Sequence, residues 1–105
     1  MIKEKKEILK AINSTVRSVV PDARVILYGS QARGDLGADS DWDILVILNK
    51  SKIEPDDYNK VMYPLYELGW ENGHHFSVKL YSTSEWVKRS FTLFYKNVES
   101  EGILL

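Results

Sequence analysis

The sequence predicts an α+β domain, a two-layer α/β arrangement in which a small mixed β-sheet is covered mainly on one face by helices. Three observations lead to this prediction. The 105 residues suffice for one hydrophobic core but not for two. Helix-like and strand-like segments alternate along the chain, and no repeat or linker divides it. We therefore expect residues 1–105 to form one domain with the element order α-β-α-β-α-β-α.

The first half of the chain accounts for four of these elements. A helix is predicted over residues 3–20, because apolar residues recur near a spacing of 3.6 opposite Lys and Glu. The apolar strand Arg24–Tyr28 follows, and then a glycine-serine turn with a single helical turn through Arg33. A loop over residues 34–40 returns the chain to a second apolar strand, Trp42–Leu48.

A third helix is predicted to begin at Pro55. Proline suits the first helical position, and Asp56 and Asp57 place negative charge where the helix dipole favours it. Pro64 falls inside the same helix and lacks a backbone N–H donor, so we expect a kink or a break there.

The remaining segments give a third strand and a last helix. Residues 75–81 alternate between polar and apolar side chains, as a half-buried strand does. Ser82 and Glu85 match a capping box and so predict the start of the last helix. A break is expected near residues 90–92, and Gly102 is expected to end the helix before an apolar tail.

The composition excludes several classes of protein. Hydrophobic residues make up 44% and charged residues 28%, which is ordinary for a globular protein. The net charge of −1 gives no overall basic field, so no nucleic-acid partner is expected. The absence of Cys excludes disulfides and cysteine metal sites. No apolar run approaches the ~20 residues of a membrane span, and no signal-peptide core is present, so we expect a cytoplasmic protein without membrane contact.

Two aspartates open the second strand. Side chains alternate along a strand, so Asp41 and Asp43 should project from one face, with Cα atoms roughly 6–7 Å apart. Two such carboxylates repel each other by about 1 kcal/mol in water and several-fold more in a partly buried cleft. A divalent cation between the two carboxylates attracts both and so turns a net repulsion into a net attraction. Mg²⁺ is usually bound by one or two carboxylates plus substrate phosphates. The pair therefore indicates a site for a nucleoside triphosphate.

A glycine-serine pair stands ten residues before these aspartates, as Gly29-Ser30-x10-Asp41-x-Asp43. The segment GSQARGDLGADSDWD resembles the motif of the nucleotidyltransferase superfamily related to DNA polymerase beta, in the form seen in minimal nucleotidyltransferases. The resemblance extends over most of the chain, including its closing residues 99–105. It implies the nucleotidyltransferase fold and two catalytic aspartates, which bind the metal ions that position the α-phosphate for in-line attack.

The same resemblance assigns nucleotide binding to four further residues. Gly29 lets the backbone turn sharply and approach a phosphate without a Cβ in the way. Ser30 begins a helical turn whose N–H groups and hydroxyl can hold the oxygens of the triphosphate. Arg33 either contacts a phosphate or braces the loop, and Ser40 caps or orients the loop that enters the second strand.

The third strand departs from the family pattern. Active members usually add a third carboxylate there, but parity places Ser77 at that position, flanked by His75 and Lys79. Three explanations stay open. His75 acts as the base, since imidazole titrates near pH 6.5, or Glu67 or Glu71 swings in from the preceding helix. In the third explanation catalysis is lost, and Lys79 partly balances the aspartates in place of a second metal.

Two functions are consistent with the sequence. The first is a Mg²⁺-dependent nucleotidyltransferase that transfers a nucleoside monophosphate, with ATP as the expected donor, to a hydroxyl acceptor. Minimal nucleotidyltransferases are often paired with small helical HEPN-domain proteins as antitoxins that adenylylate a tyrosine, so the resemblance implies such a partner. The second is a catalytically degenerate module that binds a nucleotide or a partner. The acceptor and the oligomeric state, a homo-oligomer included, stay open.

Overall fold

The described part of the chain, residues 4–34 and 41–105 of a computed structural model, forms a four-stranded mixed β-sheet that packs against helices. In chain order the elements are α1 (Lys5–Val19), β1 (Arg24–Tyr28), α2 (Gly29–Arg33), β2 (Trp42–Leu48), α3 (Pro55–Asp57), a π-helical turn (Tyr58–Met62), α4 (Tyr63–Glu71), β3 (Phe76–Ser82), α5 (Thr83–Lys88), α6 (Leu93–Glu101) and β4 (Ile103–Leu104). Among these elements, no helix has the length and apolar character needed to cross a membrane.

The strand order across the sheet is β3-β2-β1-β4. Strands β1 and β2 pair antiparallel, whereas β2 and β3 pair parallel. A parallel pair needs a long crossover connection, and the helical segment from α3 to α4 supplies it. The predicted α+β class and mixed sheet are therefore confirmed.

The fourth strand was not predicted. The apolar tail after Gly102 pairs antiparallel with β1, with Ile26 opposite Leu104. The Leu105 N–H also donates a hydrogen bond to the Val25 carbonyl at 2.8 Å. The tail thus packs on the protein's own sheet. Sequence patterns miss such a strand because two residues carry no periodicity of their own.

Two hydrophobic layers enclose the sheet. The larger layer lies on the face that carries α1 and α4. A smaller layer lies on the opposite face, where α5 and α6 pack on β1 and β2. The buried residues of this second layer are Ile26, Leu45, Ile47, Trp86 and Val98. The helices thus cover mainly one face, as predicted, and the second layer covers part of the other.

The segment around Pro64 changes its helical type. The chain passes from α3 through the π-helical turn Tyr58–Met62 into α4, and Pro64 lies in the first turn of α4. The N–H groups in the first turn of a helix have no acceptor within that helix, so a proline there removes no helical hydrogen bond. The predicted break therefore takes the form of a π-helical turn just before the proline.

The last predicted helix is divided as expected. Ser82 accepts a hydrogen bond from the Glu85 N–H at 3.1 Å and caps α5. Thr92 caps α6 in the same way, through the Tyr95 N–H at 3.1 Å. Strand β3 begins at Phe76, one residue later than predicted, but its alternation of buried and accessible residues agrees with the prediction.

Candidate functional site

Three polar side chains converge at one end of the sheet, which we call the site end. In the strand register, Tyr28 of β1 lies opposite Asp43 of β2, and Asp43 lies opposite Ser77 of β3. Directly paired residues project from the same face of a sheet. All three side chains therefore point toward the face that carries α6, as parity predicted for Ser77.

The turn after β1 touches Asp43 directly. Gly29 adopts φ +74°, a conformation that side chains other than glycine rarely take. A Cβ added to Gly29 would also collide with the Asp43 carboxylate, whose Cγ would lie only 3.2 Å away. Ser30 follows in the first turn of α2. The predicted phosphate-binding turn and the predicted metal-binding strand are thus in contact.

Asp43 experiences a balance of opposing charges. Its partial burial and the neighbouring Asp41 carboxylate raise its pKa above the ordinary value, whereas Lys79 and Arg33 act to lower it. A carboxylate that is desolvated beside a like charge gains free energy from a cation. Carboxylates are also the ligands that Mg²⁺ prefers, so the donor set of Asp41 and Asp43 fits that ion.

Asp41 stands just before β2 and contacts the start of β3. Its Oδ1 lies 2.7 Å from His75 Nδ1, and the Trp42 N–H donates to the His75 carbonyl at 2.9 Å. An ionised carboxylate only accepts hydrogen bonds, so Nδ1 carries the proton in this contact. In the tautomer that donates from Nδ1, the acceptor nitrogen is Nε2. His75 is thus hydrogen-bonded into the site end.

The two glutamates considered as replacement acids lie elsewhere. Glu67 and Glu71 line a groove with Thr15 of α1 and Tyr63 of α4. Helix α4 packs on the face that carries α1, whereas Asp43 projects from the opposite face. Neither glutamate reaches the aspartates in this arrangement.

Arg33, the last residue of α2, interacts with one carboxylate of α6 and one of β2. Its guanidinium lies 3.6 Å from the Glu101 carboxylate of α6, and its charge partly opposes the rise in the pKa of Asp43 that burial and Asp41 cause. Both predicted roles of Arg33, bracing the loop and contacting a phosphate, stay predictions. Ser40, the remaining predicted nucleotide-binding residue, lies outside the described residues.

The sequence did not single out Tyr28 or Phe94 as site residues. The Tyr28 hydroxyl is buried and has no hydrogen-bond partner among the described residues. Burial, the Asp43 charge and Tyr81 raise the pKa of Tyr28 to about 12. The Phe94 ring packs edge-on against Tyr28 at 5.5 Å, and the Lys79 ammonium lies 4.9 Å from the same ring centre. Tyr28 could have been found by its position directly before Gly29.

The Gly29 turn contacts Asp43 at one end of the mixed sheet, as the nucleotidyltransferase motif predicts. The family model described as "Nucleotidyltransferase domain" matches residues 2–105. The chain therefore belongs to this family, and the resemblance read from the motif is confirmed.

One solved structure with a similar fold is described as "Crystal structure of the toxin-antitoxin with AMP-PNP". The likeness covers 96% of this chain and 72% of that chain, at 16% sequence identity and a TM-score of 0.56. At this identity the comparison establishes the fold, and it confirms the predicted architecture. A comparison with curated protein sequences finds no significant match.

Proposed function

We propose that the protein is a Mg²⁺-dependent nucleotidyltransferase that moves AMP from ATP to a hydroxyl acceptor. The observation that carries this proposal is the contact between the Gly29 turn and Asp43. A phosphate chain bound at the turn would lie beside the carboxylates of Asp41 and Asp43. The family match over residues 2–105 supports the same reaction class.

Each group at the site end has a defined task in this proposal. Ser30 and backbone N–H groups of the first turn of α2 would bind phosphate oxygens. Asp41 and Asp43 would hold Mg²⁺, which would stabilise negative charge on the reacting phosphate and the leaving group. Arg33 adds positive charge on the same side. The acceptor oxygen forms a bond to the α-phosphorus, the bond from that phosphorus to the bridging oxygen breaks, and pyrophosphate leaves.

The proton of the acceptor hydroxyl needs a base, and β3 carries no carboxylate in FSVKLYS. Of the groups weighed for this task, His75 is the one hydrogen-bonded into the site end, at 2.7 Å from Asp41. The contact orients the ring and leaves Nε2 as its acceptor. We assign the proton transfer to His75 within this proposal.

The acceptor in this proposal is a hydroxyl of a partner protein, a tyrosine of a HEPN-type toxin. The similar structure is described as a toxin-antitoxin with AMP-PNP, and this description supports both a protein partner and an adenine nucleotide. The resemblance to minimal nucleotidyltransferases points to the same pairing.

The test is transfer of label from α-labelled ATP in Mg²⁺, with and without the protein encoded beside this one. We expect label on the partner from the wild-type chain and none from Asp41→Ala or Asp43→Ala. Asp56→Ala serves as the matched control, because Asp56 is an exposed aspartate of α3 that pairs with Lys60 of the π-helical turn and not with a residue of the site end. Loss of transfer in the control as well would contradict a specific role for the two site aspartates.

A second candidate is a degenerate module that binds nucleotide without turnover. The register favours it in one respect, since the residue beside Asp43 on β3 is Ser77 and not an acid. Calorimetry separates the two candidates. Nucleotide binding that depends on Asp43, without label transfer to any partner tested, would support the module over the enzyme.

A further inference from the structure

Lys79 is the cation nearest in register to the carboxylate site. It lies two residues beyond Ser77 on β3, opposite Leu45, and therefore projects from the same face as Asp43. The rise along a strand separates Lys79 from Ser77 by roughly 6–7 Å between Cα atoms. The charge of Lys79 acts on Asp43 and partly opposes the rise in its pKa that burial and Asp41 cause.

The ammonium of Lys79 is held by an aromatic ring. Nζ lies 4.9 Å from the centre of Phe94, within the range of a cation–π contact. Phe94 is itself fixed by edge-on contacts with Tyr28 at 5.5 Å and with Trp86 at 5.8 Å. Lys79 is thus a positioned cation, although its side chain is exposed and accessible to a ligand.

The charges at the site end favour one divalent ion over two. We count the carboxylates on β2 and β3 together with the residue just before each strand, which are residues 41–48 and 75–82. Within these described residues, Asp41 and Asp43 are the only carboxylates. Ser77 stands where a third carboxylate would lie. Two divalent ions sharing two carboxylates would face repulsion from each other and from Lys79.

We propose that the site takes a single divalent cation and that the Lys79 ammonium replaces a second one by contacting the triphosphate of the bound nucleotide. A nucleoside triphosphate carries enough negative charge to bind both the divalent cation and the Lys79 ammonium. This inference rests on the proposed function, since it takes Asp41 and Asp43 as the metal ligands.

Counting bound ions tests the proposal directly. Mn²⁺ would replace Mg²⁺, and its free concentration would be measured by electron paramagnetic resonance in the presence of AMP-PNP. We expect one Mn²⁺ per wild-type chain. The double variant Ser77→Asp/Lys79→Gln supplies the missing acid and removes the cation, so it should bind two. Two ions on the wild-type chain would overturn the proposal.

A single substitution of Lys79 gives a second test, because it should change the affinities for nucleotide and for metal in opposite directions. Lys79→Gln should weaken AMP-PNP binding about tenfold, which corresponds to about 1.4 kcal/mol. It should also strengthen the binding of Mn²⁺ alone, because a like charge is removed. Lys79→Arg keeps the charge and should retain most of the nucleotide affinity. Lys96→Gln, on the exposed surface of α6, is the matched control and should change neither affinity.

The outcomes separate this inference from the proposed function. If wild-type Mn²⁺ binding is absent or survives Asp43→Asn, the metal site of the proposed function fails and this inference fails with it. If Mn²⁺ binding depends on Asp43 but Lys79→Gln changes neither affinity, only the role of Lys79 is refuted. A merely structural lysine would lower the melting temperature and shift both affinities in the same direction, which also refutes that role.

Discussion

The face of the sheet that carries α6 has polar groups at both ends, and the two ends treat them differently. At the end away from the site, which we call the paired end, the Trp86 Nε1–H donates to Glu99 at 2.8 Å and Arg24 lies 3.5 Å from the same carboxylate. At the site end, the Tyr28 hydroxyl is buried without a partner among the described residues and the pKa of Asp43 is raised.

The two ends therefore contribute differently to stability and to the proposed function. A buried polar group that is hydrogen-bonded stabilises the fold modestly, whereas an unsatisfied one costs free energy. The paired end satisfies its groups internally and so holds α5 and α6 on the sheet. The site end leaves the Tyr28 hydroxyl without a hydrogen-bond partner among the described residues and holds Asp43 partly desolvated beside Asp41. A cation bound there, as proposed, would gain free energy from the two carboxylates.

The largest effect is expected at the turn of the site end. Gly29→Ala forces a side chain into a left-handed conformation and displaces the Asp43 carboxylate, so nucleotide binding should fall about a hundredfold or more and stability by about 1–3 kcal/mol. Calorimetry with AMP-PNP and urea unfolding measure the two effects.

Gly34→Ala is the matched control for this prediction. Gly34 has a similar φ of +76°, but a Cβ there would meet no atom of the described residues within 4 Å. The Gly34→Ala substitution should lower the free energy of unfolding by about 1 kcal/mol and leave the nucleotide affinity close to that of the wild type. Equal losses of affinity in both variants would mean that the contact with Asp43 has no special role.

The next effect belongs to the paired end. Trp86→Phe removes the N–H that Glu99 accepts while keeping an aromatic ring in the core, and should lower the unfolding free energy by about 1–3 kcal/mol. Nucleotide affinity, measured below the melting transition, should not change. A loss of affinity comparable to that of Gly29→Ala would break the proposed division between the two ends.

A smaller effect concerns pH. The pKa of Asp43 is raised in the folded state, so the folded protein holds its proton more tightly than the unfolded chain, and stability falls as pH rises through that raised value. Asp43→Asn should therefore raise the melting temperature at neutral pH without metal, with the gain vanishing below the ordinary range of aspartate. Melting curves across pH measure it. Mg²⁺ with AMP-PNP should stabilise the wild type and leave the variant unchanged.

The smallest effect is expected at the Tyr28 hydroxyl. Tyr28→Phe removes a buried group without a described partner and keeps the ring against Phe94. Stability should stay constant or rise by up to about 1 kcal/mol. Urea unfolding of this variant beside Tyr81→Phe tests this expectation, and a clear loss of stability specific to Tyr28→Phe would show that its hydroxyl is satisfied after all.

The sequence predicted the parts of the fold and site that depend on local spacing. The glycine turn, the strand opened by Asp41 and Asp43, the break in the last helix and the parity of Ser77 follow from periodicities within a few residues. It did not predict β4, because that strand exists only through its pairing with β1. The position of Phe94 between Lys79 and Tyr28 depends on how α6 docks, which no local pattern encodes.

The pairing of β4 with β1 has a kinetic consequence. The strand that ends at the site turn receives one partner, β2, from nearby in the chain, but its other partner places Leu104 opposite Ile26. Contacts between residues so distant in sequence form late, because the chain loses conformational entropy when the long loop closes, before the contact stabilises the fold. During folding, the Gly29 turn, which is proposed to bind phosphate, would therefore gain its full support only when β4 has docked.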